Sequence, residues 1–437
     1  MLPGVMSAAG DVYAQGRDDW LPRNWTDGAS TRMSSGTGYR TGPRNTKARA
    51  KLYEALDAKL FFDRVLASEE TLEAMQLAIG RYRRIVAKGG WPTIAKSKGA
   101  WLRLGSRESR VGLLRKRLAA SGDLKKPGRS SWLFDRPLEA ALKRFQIRHG
   151  LRPNGVVDNR TLAALNVPAS ERLAQLQVNR LRLHAFQERL AGAERYVLVN
   201  VPAFQLQAVR NGRVEIISKV IVGKSQTQTP TVEAKIRGLN FFPFWRVPDS
   251  IAHRALIPTI LKDPDYLKRE HIRVLTHWGG EEVDPAKVDW KSPDALKLKF
   301  RQDQGEFNAL GLVRLDMPND HIVYLHDTPL KRLFGSSGRA YSAGCVRVKR
   351  VLDLATWLVE GDDPEWNRAR IDSVLMGKLA EDVKLKTPVP VMFVYITAWA
   401  SDSGRAYFRP DIYGRDGTGA LLAQYEDQAA PKQTLAP

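Results

Sequence analysis

The sequence predicts an α+β protein: a helical N-terminal half, then a mainly β, sandwich-like or curled-sheet half that carries a helical insertion. Three observations carry this. Apolar residues recur near a 3.6-residue period from about Thr46 to Leu190. From Tyr196 onward, short strand-like runs alternate with turn residues, and Asn211-Gly212 is the plainest hairpin signal. Between Trp245 and about Asp316 that rhythm lapses into a helical, irregular stretch with Pro248, Pro258 and Pro264.

Residues 1–46 are rich in Gly, Ser, Thr, Asn and Arg, lack apolar periodicity and read as a disordered arm. A helical scaffold is expected over 47–103. Leu52, Leu56, Leu60 and Phe61 form one stripe, Leu72, Met75, Ile79 and Tyr82 belong to a second, and Ser68-Glu69-Glu70-Thr71 reads as a helix start. Residues 104–167 read as a small three-helix module. Its helices carry Val111, Leu114 and Leu118, then Leu138, Leu142 and Phe145, then Thr161 to Asn166. A linker helix over 168–193 leads to a domain at 194–415, and 416–437 is a tail. Strand-like runs fall at 196–201, 204–210, 214–222, 234–242, 321–326 and 391–399. The stretch at 246–316 is a long excursion from a β-scaffold, which suits a lid or substrate-facing subdomain.

Lys+Arg number 69 against 47 Asp+Glu, a formal charge of +22. Such a surface seeks a polyanion: nucleic acid, an anionic membrane or a carboxylate-rich polymer. There is no zinc-knuckle cysteine set and no aromatic-basic RNA signature, so nucleic acid is disfavoured as a partner. No apolar run approaches the roughly eighteen residues of a membrane span, so stable membrane insertion is not expected. The first ten residues are too broken to read as a signal segment. One cysteine makes no internal disulfide and leaves the compartment open. Nothing in the sequence sets an oligomeric state.

That cysteine, Cys345, lies in Ser342-Ala343-Gly344-Cys345-Val346-Arg347. A lone cysteine is usually a small buried apolar residue. Here it follows a glycine and precedes an amphipathic helix with Val351, Leu354, Ala355 and Leu358 on one face, so a helix N-terminus is expected to favour its thiolate. A strand ending in His326 lies nineteen residues upstream, which supplies a base. Alternation puts Tyr324 with His326 on one face and Asp327 on the other. The amides of Gly344, Cys345 or Val346 suit an oxyanion, and Arg347 and Arg339 suit a carboxylate. The histidines at 271, 277, 321 and 326 lack metal-ligand spacing and no second thiol exists, so no metal is expected. Gly223-Lys224-Ser225 mimics the end of a phosphate-binding loop, but Ser218 stands where its first glycine is required.

Two stretches carry a family resemblance. Ala140 to Leu151, with Gly155 and Thr161-Leu162, resembles the peptidoglycan-binding domain family, which implies a glycan- or stem-peptide-binding module. Tyr324-Leu325-His326-Asp327-Thr328-Pro329 with Arg339 to Val348 resembles the active-site signature of the L,D-transpeptidases. More narrowly it is similar to their large periplasmic group, whose inserted capping subdomain is matched by Trp245-Arg246-Val247-Pro248, Asp263-Pro264-Asp265-Tyr266 and Val288-Asp289-Trp290. The wider family places His before the Gly-Cys pair and Asn two residues after the Cys, where this chain has Ala343 and Arg347. The narrower group has Ser and Arg there. The resemblance implies a periplasmic acyltransferase with Cys345 as nucleophile, His326 as general base and acid, and Gly344 in the oxyanion hole. It implies peptidoglycan contacts at Arg347, Tyr324, Ser342, Arg339 and Trp245. The implied product is a 3→3 diaminopimelate cross-link, made without a cofactor. Water as acceptor would make a carboxypeptidase and a protein amine an anchoring enzyme. A non-catalytic wall-binding protein is the alternative of another class.

Overall fold

The computed structural model describes residues 64–96, 101–125, 132–401 and 404–417. The expected arm at 1–46, the stripe from Leu52 to Phe61 and most of the tail lie outside these. The chain divides into two compact units, one built from residues 218–392 and the other from 37–217 with 393–437. The boundaries fall inside two strands, β3 (Arg213–Gly223) and β12 (Glu381–Val394).

In the second unit, helix α1 (Glu69–Ala87) starts where its sequence asks. Ser68 accepts from the Thr71 amide, and Glu69 and Glu70 occupy the positive end of the helix dipole. It packs along α5 (Ala169–Leu190). The small module is α2 (Ser109–Ala120), α3 (Arg136–Arg148) and α4 (Asn159–Asn166) around Val111, Leu114, Leu118, Leu138, Leu142, Phe145 and Leu165. Asp135 and Asp158 cap α3 and α4 by accepting from Leu138 and Thr161 amides.

One buried side chain explains the long turn between α3 and α4. The Gln146 amide nitrogen donates to Asn154 Oδ1 and the Val156 carbonyl, both at 2.9 Å, and to Thr161 Oγ1 at 3.2 Å. Its oxygen accepts from the Gly155 amide at 3.0 Å. The turn thus gains partners for backbone groups that the helices leave unpaired. Beside it, the Arg148–Asp123 ion pair is buried at 2.5 Å.

β1 (Arg195–Asn200) and β2 (Gln205–Arg210) form an antiparallel pair. Asn211 and Gly212 both have positive φ, 49° and 68°, the requirement of the type I′ hairpin that the sequence predicted between β2 and β3. The closing hairpin is β13 (Ala398–Ser401) with β14 (Arg405–Phe408).

In the first unit, the main sheet runs in the order β10-β3-β11-β9-β8-β4-β12. The strands not yet given are β4 (Val232–Phe241), β8 (Val313–Asp316), β9 (Leu325–His326), β10 (Ala340–Ser342) and β11 (Val346–Val348). Helix α6 (Val351–Glu360) buries the predicted stripe of Val351, Leu354, Ala355 and Leu358. The insertion differs from the helical stretch expected. Only short helical turns span 249–260 and 266–269, and they pack on a three-stranded antiparallel sheet of β5 (Trp245–Arg246), β7 (Lys299–Gln302) and β6 (Ile272–Leu275). The prolines hid these strands, which are only two to four residues long. The insertion has a core of its own, including Trp245, Val247, Ile257, Ile260, Tyr266 and Phe300.

Candidate active site

The Cys345 turn is a bridge over the end of a strand. β10 lies parallel to β3 on one side and β11 antiparallel on the other, so residues 343–345 cross the carboxyl end of β3. Such a crossing needs backbone that other residues rarely adopt, and Gly344 has φ +128°. The need is conformational: a Cβ at Gly344 would meet nothing closer than 3.7 Å.

The loop after β3 locks the bridge in place. Thr229 is fully buried; its hydroxyl donates to the Gly344 carbonyl at 2.7 Å and accepts from the Gly223 amide at 2.8 Å. The Thr227 hydroxyl and the Lys224 amide both donate to the Ser342 carbonyl at 3.0 Å. Gly223 permits this approach, because a Cβ there would sit 2.0 Å from the Thr227 carbonyl oxygen. Thr227, Thr229 and this use of Gly223 were invisible in the sequence, where Gly223-Lys224-Ser225 read only as a failed phosphate motif.

β9 and β11 are parallel neighbours, with Leu325 opposite Val346 and His326 opposite Arg347. That register sets Tyr324 beside Cys345 and His326 two residues further on, about 7 Å along the strands at 3.3 Å per residue. His326 is buried, and the Tyr324 ring meets it edge-on at 5.6 Å. Burial first, then the Arg347 charge, depresses the imidazole to about 3, so it is neutral at physiological pH. Cys345 is half-buried. Burial pushes its thiol up, while the Tyr324 backbone and hydroxyl and the charges of Arg347 and Arg314 pull the other way. Tyr324 itself is held protonated by burial and by the neighbouring sulfur; its hydroxyl also meets Trp245. Trp245 thereby ties the insertion core to the site, since Tyr324 packs against that core. The resting pair is thiol and neutral imidazole, a base that takes its proton only during reaction.

Five expectations change. Cys345 does not sit at a helix N-terminus: β11 intervenes, and α6 begins at Val351. No helix dipole therefore acts on the sulfur, which fits the raised thiol. The Gly344 amide is taken, because it donates to Ser342 Oγ at 3.2 Å. Val346 N–H is also taken, by the Tyr324 carbonyl at 3.0 Å, which leaves the Cys345 amide for an oxyanion. Ser342 thus shapes the turn, since its hydroxyl also donates to the Cys345 carbonyl at 2.5 Å. Arg339 is buried and donates to the carbonyls of Val220 and Ser336, so it braces the turn before the cysteine and is not held ready for a carboxylate. The run 321–326 is strand only at Leu325–His326. Asn319 folds 319–323 into a turn by accepting from the amides of His321 and Val323, which leaves Ile322 at φ +53°.

Among the described residues, no cluster of three or more His, Cys, Asp or Glu could hold a metal, and no helix is long and apolar enough to cross a membrane.

Residues 194–391 match the YkuD family, the L,D-transpeptidase catalytic domain, and residues 107–165 match the family described as "Putative peptidoglycan binding domain". A Haemophilus influenzae protein named "Putative L,D-transpeptidase" is 35% identical over 221 residues, 50% of this chain and 44% of the relative, so the match spans under half of that relative's length. Two solved structures are also similar. The L,D-transpeptidase of Xylanimonas cellulosilytica shares 14% identity with a TM-score of 0.22, covering 69% of this chain and 100% of that one. The L,D-transpeptidase of Stackebrandtia nassauensis shares 16% with a TM-score of 0.26, covering 69% and 96%.

Proposed function

We propose that this chain, whose residues 194–391 match the L,D-transpeptidase catalytic domain and whose residues 107–165 match a peptidoglycan-binding domain, cross-links peptidoglycan stem peptides through a Cys345 thioester. One observation carries the reading: the sole cysteine is fixed on a bridge beside a strand that ends in a buried, neutral histidine.

The donor is a stem tetrapeptide. Cys345 attacks the carbonyl between meso-diaminopimelate and the terminal D-alanine, and His326 takes the thiol proton. The Cys345 amide holds the oxyanion. The proton passes from His326 to the departing D-alanine amine, and a thioester remains. His326 then deprotonates the side-chain amine of an acceptor stem, whose attack frees Cys345 and leaves a 3→3 cross-link. Arg347 serves the chemistry from beside the imidazole: its fixed charge adds to burial in keeping His326 unprotonated between cycles. The module at 107–165 holds the enzyme on its polymer, and the chain's +22 charge suits stems rich in carboxylates. This chemistry suits the periplasm, and a carbapenem, whose strained carbonyl resembles the scissile one, acylates Cys345.

Incubation with a purified disaccharide-tetrapeptide, read by mass, tests this. The expected product is a cross-linked dimer from the parent chain and none from Cys345→Ala. Tripeptide alone would mean that water is the acceptor, and a dimer from Cys345→Ala would sink the mechanism.

A further inference from the structure

The insertion sheet has two unlike faces. Side chains alternate along its strands, and one face holds Trp245, Ile272, Val274, Phe300 and Gln302, all buried. Tyr324 packs against the core on that side. The other face carries a row of cations. In the order β5-β7-β6, Arg246 lies opposite Arg301, and Arg301 opposite Arg273. Neighbours placed this way have Cβ atoms about 4.5–5.5 Å apart, and like charges there destabilise the sheet.

Carboxylates offset only one end of the row. Arg273 is paired with Glu282 at 3.0 Å and with Asp303 at 2.9 Å. Lys299, on the same face of β7, is taken by Asp249 at 2.8 Å. Among the described residues, Arg246 and Arg301 have no carboxylate at ion-pair distance, and the buried Nε of Arg301 has no hydrogen-bond acceptor. What these two meet is aromatic. The Arg301 guanidinium lies 4.6 Å from the centre of the Phe244 ring, and the Arg246 guanidinium 5.5 Å from that of Trp278. Arg246, Phe244 and Trp278 are all exposed. A ring steadies a guanidinium through its flat face and leaves the N–H fork open to a planar anion. Two unpaired guanidiniums side by side cost stability, and carboxylates bound to them would reverse the sign.

We propose that this outer face of the insertion docks peptidoglycan stems: Arg246 and Arg301 each grip a stem carboxylate, and Phe244 and Trp278 orient the two forks. Neighbouring strands set the row at about 4.8 Å, and one short stem peptide offers several carboxylates to such a row. The face is opposite the core that meets Tyr324, so it is a site distinct from the cysteine. The choice of polymer rests on the proposed function; the cation row does not.

The test is co-sedimentation of the full chain with purified sacculi at fixed ionic strength, which needs no turnover. Arg246→Gln/Arg301→Gln should bind about 10-fold more weakly, the scale of two part-exposed guanidinium–carboxylate pairs. Its thermal midpoint should match or exceed the parent's, because the like-charge contact is gone. Arg83→Gln/Arg84→Gln removes the same charge from exposed positions on α1 and should bind as the parent does. On glycan strands stripped of their stems by an amidase, the parent and Arg246→Gln/Arg301→Gln should bind alike. Equal losses in the two double variants would assign the binding to bulk charge and overturn the inference. Parental binding of sacculi by Arg246→Gln/Arg301→Gln would overturn it too, as would a loss confined to phosphatidylglycerol vesicles. Product formation from the soluble disaccharide-tetrapeptide separates the two readings. If the parent chain makes no product while Arg246→Gln/Arg301→Gln still loses sacculus binding, the transpeptidase reading fails and the docking face stands.

Discussion

The turn around Gln146 and the turn around Cys345 are both built from buried polar groups, but they use them in opposite ways. Gln146 is buried and spends both ends of its amide on its own turn. At the other turn, His326 Nδ1 is left without a partner at bonding distance. Leaving a buried donor unmet costs about 1–3 kcal/mol. A fold tolerates that where the missing partner arrives with the substrate. The contrast separates residues that hold the structure from those that wait for chemistry. It also sorts the arginines, since Arg339 bonds backbone carbonyls while Arg347 lies beside His326.

The contrast is broken most severely by His326→Gln. It should cut acyl transfer by about 10²–10⁴-fold while leaving the thermal midpoint nearly unchanged, as calorimetry alongside the mass assay would show. A large drop in stability with a small drop in rate would reverse the assignment. Gln146→Ala should do the opposite. It strips partners from the Gly155 amide and Val156 carbonyl, each worth about 1–3 kcal/mol. Denaturant melts should reveal the loss, while modification of Cys345 by iodoacetamide proceeds at the parental rate.

A smaller effect follows from pH. The Cys345 thiol lies above its ordinary range, so alkylation should be slow at neutrality and keep rising beyond pH 9. In Tyr324→Phe, loss of the hydroxyl that favours the thiolate should move that curve further up. A curve moved down would show that Tyr324 opposes the thiolate. On the acid side, His326 and the buried His149 are both held below the ordinary imidazole value. The unfolded chain therefore binds more protons than the folded one below about pH 6.5, and stability should fall as pH drops from there toward about 3.

Much of this was readable in the residues. The Asn211-Gly212 hairpin, the start of α1 at Ser68 and the stripe of α6 are local patterns, and local patterns survive into the fold. Cys345 and His326 stood out because one residue was unique and the other ended a strand. What stayed hidden is long-range or short. β11 is three residues, too brief to announce itself between Cys345 and α6. The apolar run 321–325 looked like continuous strand because the left-handed backbone at Ile322 leaves no mark in an apolar pattern. Thr229 is an ordinary polar residue in a polar stretch. Only its complete burial reveals that it holds the cysteine bridge.

The most direct measurement is to trap the first half of the reaction. Purified protein is given the tetrapeptide donor with too little acceptor, quenched in acid and digested, and the masses of its peptides are read. The account predicts one adduct, on the peptide containing Cys345, equal to the donor minus D-alanine and removed by hydroxylamine. No adduct, or one on any other residue, contradicts it.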